Sequence, residues 1–107
     1  MNREKELNIR ERVFKAFSDL IILRAIAEQP MTGYRIIRLC HKKHGILPNS
    51  SMIYSCLKTM ENKKLIKRVP AKDGKTYDLT PRGKRIVNNM SVVTQEIRDA
   101  VRTMMEN

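Results

Sequence analysis

A mainly α domain with one short β-hairpin, an α+β arrangement, is what this sequence predicts, and three observations carry that reading. Apolar residues recur at helical spacing through most of the chain. The spacing shortens to that of strands only between Leu65 and Leu79. All four prolines stand where one element should end and another begin. With 107 residues and 41% hydrophobic content, there is material for one core. Residues 1–80 are expected to form the body, and residues 81–107 a C-terminal helix joined to it in one compact unit.

The first helical turns are expected from about Glu4, carrying Leu7, Val13, Phe14 and Phe17 between mixed charges. A second stretch, Ser18 to Glu28, has Leu20, Ile21, Leu23, Ile26 and Ala27 on a broad apolar face, with Ser18 or Asp19 as its cap. Whether the two are one helix or two stays open. After Pro30, Thr32 is placed to cap a helix from Gly33 to about His44, with Ile36, Ile37 and Cys40 inward and Gly45 as the stop. Asn49-Ser50-Ser51 then opens a third helix to about Asn62. Ile53, Cys56, Leu57 and Met60 share its apolar side; Ser51, Ser55, Lys58 and Asn62 lie opposite, with Tyr54 and Met52 on the flanks.

Two short strands follow, Leu65 to Val69 and Thr76 to Leu79, joined through the turn-forming pair Asp73-Gly74. Thr80-Pro81 is a cap followed by proline at the first helical position. It opens a last helix whose Ile86, Met90, Val93, Ile97, Val101 and Met104 make an apolar seam over nearly three heptads.

The charge pattern points to a partner. Net charge is +11, and all of the excess lies between Arg35 and Arg85, where only Glu61, Asp73 and Asp78 oppose it. A block of one sign suits a polyanion, most simply nucleic acid. Solubility alone would not confine the excess to one segment. No apolar run approaches the roughly 20 residues of a membrane span, and Met1 to Glu6 lacks the apolar core of a secretory signal. Cys40 and Cys56 form no disulfide framework, so reduced thiols and a cytoplasmic setting are expected.

Chemistry has little to stand on here. There is no glycine-rich phosphate loop and no paired inward carboxylates, so no enzyme and no cofactor are expected. Cys40 and His44 stand four apart on one helix, yet the paired spacings of a zinc site are missing, and no metal is expected.

Helix, short turn, helix and then a hairpin with a basic tip is the layout of a winged helix-turn-helix. The small polar face of the third helix can approach base edges in a major groove about 12 Å wide. Its N-terminus offers free backbone N–H groups to phosphate, and Lys72 and Lys75 sit at the tip of the wing. The candidate DNA contacts are therefore Tyr34, Asn49, Ser50, Ser51, Met52, Tyr54, Ser55, Lys58, Lys72 and Lys75. A single helix cannot bury a heptad stripe alone, so the seam Ile86, Met90, Val93, Ile97, Val101 and Met104 implies a homodimer.

These residues also resemble a known family. Met31-Thr32-Gly33-Tyr34-Arg35-Ile36, Ile53-Tyr54-Ser55-Cys56-Leu57, Met60-Glu61, Leu65-Ile66 and Tyr77-Asp78-Leu79-Thr80 followed by Gly83 are similar to the PadR family of transcriptional regulators, over roughly Asp19 to Val87. The resemblance implies a homodimeric repressor binding double-stranded DNA at a palindromic operator, with dimer contacts from the last helix and the N-terminal region. It allows small-molecule effectors, though two Phe, three Tyr and no Trp give no aromatic cage to nominate. One residue departs from the pattern: Lys64 stands where the family usually has glycine. The competing function is a basic winged-helix RNA-binding protein of ribosomal type; against it, the ends of this chain are neutral and the C-terminus bears a seam.

Overall fold

The computed structural model describes residues 8–71 and 75–106. Two N-terminal helices, α1 (Ile9–Ala16) and α2 (Ser18–Glu28), meet at Phe17. A two-residue strand β1 (Met31–Thr32) leads into α3 (Gly33–His44), and α4 (Ser50–Asn62) follows. Strands β2 (Ile66–Val69) and β3 (Thr76–Leu79) form the wing. The chain ends in α5 (Pro81–Asn88) and α6 (Met90–Met105).

The expected mainly α fold with a winged hairpin is what the chain adopts, with one strand more than expected. The sheet is antiparallel in the order β1-β3-β2, with Met31 opposite Tyr77 and Ile66 opposite Leu79. Met31 and Tyr77 are both buried in the core. Thr32 pairs with Thr76 and also caps α3, its Oγ1 accepting from the Arg35 N–H at 3.1 Å. The expected Asp73-Gly74 turn lies outside the described residues.

Ile22, Leu23 and Ile26 of α2, Ile36 of α3, Ile53, Leu57 and Met60 of α4, and Ile66 of β2 are the most deeply buried side chains. They lie where the helical spacing puts one face of each helix, so the sheet closes a three-helix core. Gly45 stops α3 with φ of 68°, as expected. Asn49 caps α4, accepting from the Met52 N–H at 3.3 Å.

One open point is answered and two local expectations are corrected. The N-terminal region is two helices, because at Phe17 the backbone leaves helical geometry (φ −121°, ψ 29°). Phe17, not Ser18 or Asp19, is the N-cap residue of α2. Ser18 is buried and its hydroxyl donates to the Phe14 carbonyl at 2.7 Å, while Asp19 accepts only from the adjacent Leu20 N–H. The last helix is also two, broken at Asn89, whose N–H bonds back to the carbonyls of Arg85 and Ile86. Ile86 accordingly packs against its own core from α5, and the seam begins at Met90.

Candidate nucleic-acid interface

The polar face of α4 is built by position in the helix. Ile53, Leu57 and Met60 fix the buried side, which turns Ser51, Ser55 and Lys58 outward, all exposed. Asn49 and Ser50 are exposed at its N-terminus, where the first backbone N–H groups have no helical acceptor. Thr59 and Asn62, outside the expected set of contacts, are exposed on the same half of the helix. Met52 is not on that face. It is half-buried against the core and lines a groove with Lys15, Asp19 and Cys56.

Tyr54 has a specific seat. Its ring lies over Gly33 at the start of α3; a Cβ at position 33 would stand 2.9 Å from Tyr54 Cζ. Glycine therefore leaves room for the outer end of the ring against the start of α3, with the residue still 47% exposed. Tyr34, one residue on, is 63% exposed and carries the Arg38 guanidinium 5.8 Å from its ring centroid. Lys75 is exposed at the loop end of the wing; Lys72 lies outside the described residues.

Positive charge continues along the exposed side of α3. Arg35, Arg38 and Lys42 are all exposed and, among the described residues, none of them forms an ion pair. Sequence reading passed over them because it followed α3 for its inward residues. The signal was present: α3 has no acidic residue at all. Lys43, on another side, is taken up by Glu28 at 4.0 Å, and on the wing Arg68 is held by Glu61 at 3.1 Å.

The far end of α4 is locked in place. Lys64 has φ of 63°, the one non-glycine residue with positive φ among those described. Its N–H bonds to the Glu61 carbonyl and the Leu65 N–H to the Met60 carbonyl, both at 3.0 Å, the paired bonds of a Schellman end. The freed carbonyls are then claimed by the start of α5. Thr80 Oγ1 donates to Lys64 O at 2.6 Å, the Thr80 N–H donates to Leu65 O at 3.1 Å, and the Arg82 guanidinium donates to Lys63 O at 3.2 Å.

The apolar stripe of α6 faces a groove of about 410 Å³ rather than a neighbouring element. Met90, Thr94, Ile97 and Val101 form one wall; Val13, Phe17, Leu20, Ile21 and Leu39 form much of the other. No residue of α6 is buried, and Met104 is 83% exposed. Val93 is half-buried on the flank of the stripe. The sequence reading named the N-terminal region only as what the family resemblance implies, without singling out these side chains as a wall opposite the stripe. Among the described residues no helix is long and apolar enough to cross a membrane, and no three His, Cys, Asp or Glu side chains converge on a point that could hold a metal. Burial pushes the Cys40 thiol up; Cys56 is also pushed up, by burial and then by the Asp19 carboxylate, with Lys63 opposing.

Known proteins agree with this architecture. The pattern of the transcriptional regulator PadR-like family matches residues 22–89. A transcriptional regulator from Clostridium thermocellum superposes with a TM-score of 0.73 at 20% identity, over 89% of this chain and 96% of that one. A PadR family transcription regulator from Clostridium difficile gives 0.67 at 24%, over 81% and 96%. One from Eggerthella lenta gives 0.65 at 17%, over 98% and 92%. At these identities the solved structures establish the fold. No curated protein matches the chain. The family pattern spans residues 22–89, from the core of α2 to the break before α6, and the chain is a member of the PadR-like family of transcriptional regulators.

Proposed function

We propose that this chain is a homodimeric repressor that binds a palindromic DNA operator, with α4 in the major groove and the wing against the flanking backbone. The observation that carries the reading is the exposed face of Ser51, Ser55 and Lys58, seated between Asn49 at one end and unneutralised positive side chains on α3. Small polar side chains let the backbone approach base edges, while Tyr54, Tyr34 and Lys75 supply hydrogen bonds and charge for phosphate. Lys72 is assigned the same role from the sequence.

Two copies are part of the proposal because the α6 stripe and the wall of Val13, Phe17, Leu20 and Ile21 leave an apolar groove that a single chain does not fill. The seam Met90, Val93, Ile97, Val101 and Met104 would pair with this wall and with its own copy. Two-fold symmetry then sets two reading heads on one duplex, with half-site centres about one helical turn apart or a multiple of it.

Selection of bound duplexes from a random pool tests the reading. A dyad-symmetric site with one or two fixed positions per half supports it. An enriched site without a dyad removes the palindrome. Failure to enrich any duplex, together with retention of structured RNA by a monomer on gel filtration, would favour the RNA-binding alternative.

A further inference from the structure

The exposed side of α3 has the chemistry of a phosphate track. Arg35, Arg38 and Lys42 follow one another at steps of three and four residues, so they share one face. At 1.5 Å per residue they span about 10 Å of helix axis. Successive phosphates of one strand lie farther apart along the winding backbone than their axial rise of about 3.4 Å, so a run of that length reaches about two of them.

The setting is a groove rather than an isolated row of charges. It measures about 900 Å³ and reaches the first residue of β3 and the loop that precedes α4. Thr76, at the root of β3, lines one part of it; Leu47, two residues before the Asn49 cap of α4, lines another. Arg38 lies over the Tyr34 ring and lines the groove, a contact with the ring face that does not use up its N–H donors. No carboxylate lines the groove among the described residues. A protein partner with an acidic surface would use the same charges, but the position between the wing and the start of α4 favours the strand that those elements already approach.

We infer that Arg35, Arg38 and Lys42 form a second DNA-backbone contact, a track along α3 that grips consecutive phosphates of one strand independently of base sequence. The inference rests on the DNA-binding reading above. It adds affinity and salt dependence without adding specificity, because phosphates carry no sequence information directly.

The test compares the full-length chain with the variant Arg35→Ala, Arg38→Ala, Lys42→Ala on two duplexes, the selected site and a scrambled one, across a salt series. All three side chains are exposed, so the variant should keep its melting temperature. The slope of log K against log salt is expected to fall by about 2, at about 0.9 for each phosphate no longer neutralised. Affinity for both duplexes should fall by the same factor, leaving their ratio unchanged. Arg35→Lys with Arg38→Lys should restore most of the slope. An unchanged slope would overturn the inference and leave the face to an acidic protein. So would a weakening confined to the selected site, which would make these residues base readers. If the unaltered chain binds neither duplex, it is the DNA-binding reading itself that fails.

Discussion

The Cα of Gly83 rests directly against the carbonyl oxygen of Leu65, with no space for a Cβ between them. That oxygen already accepts from the Thr80 N–H and Oγ1, both at 3.1 Å. The end of α4 and the start of α5 are thus one hydrogen-bonded unit. Gly83→Ala must push backbone against backbone, and is expected to cost about 1–3 kcal/mol or more. A urea midpoint at or above that of the original chain would contradict the close approach.

Lys64 is strained at the same junction, since its side chain occupies left-handed backbone that costs a non-glycine residue roughly 1–2 kcal/mol. Glycine relieves this but loses more chain entropy on folding. Lys64→Gly is therefore expected to stabilise the fold by about 0.5–1 kcal/mol, read as a higher urea midpoint with an unchanged slope. Destabilisation would mean that the lysine side chain makes a contact of its own.

Gly33 and Tyr54 should be coupled. Gly33→Ala forces the Tyr54 ring off its seat, so DNA affinity is expected to fall. In a Tyr54→Ala background the same change should have little effect on affinity. Additive effects would place the importance of Gly33 elsewhere, for instance in the path of α3.

Lys58 is the only long cationic side chain on the exposed face of α4. Lys58→Ala should relax preference at one fixed guanine and cost about 1–3 kcal/mol. A selected sequence logo identical to that of the original chain would remove it as a base reader.

Replacing Ile97 and Val101 with glutamate puts two charges on the groove wall of α6. Burial of such side chains contributes about 1.5–3 kcal/mol each, so the double variant should be monomeric at micromolar concentration by light scattering. A persistent dimer would move the interface off α6.

Both thiols are pushed above their ordinary value of 9.0, chiefly by burial. The folded chain then favours the neutral thiol more than the unfolded chain does. Stability from this source is fully present below 9.0 and is lost as pH rises through the higher folded values. Cys40→Ala with Cys56→Ala should flatten the alkaline part of the stability profile; an unchanged profile would assign that slope to other groups.

What was legible in the sequence follows from how local each signal is. Thr32, Gly45 and Asn49 act on backbone groups within a few residues, so caps and stops were readable from residue type alone. Strand β1 was not, because two residues have no period; Met31 and Thr32 become a strand only through Tyr77 and Thr76 far along the chain. The break at Asn89 was hidden by apolar spacing that runs through it unbroken. For the site, the exposed face of α4 came from the helical period, whereas the half-burial of Met52 was not legible, because it sits at the edge of that face, where α1 and α2 decide it. Lys64 is the reverse case: the departure from glycine was visible in the sequence, and only the φ of 63° shows that the turn is kept despite it.

For the proposed dimer, the absence of any buried residue on α6 would make association a part of folding. A helix of 16 residues held by little tertiary contact is close to the length at which isolated helices are marginal in water. For the proposed dimer, its helicity would then be bound to the monomer–dimer equilibrium, and thermal stability would depend on concentration by mass action. Dilution alone should unwind the C-terminal helix while the winged body stays folded. The abundance of the chain would thus govern both how much operator is occupied and how much of each molecule is structured.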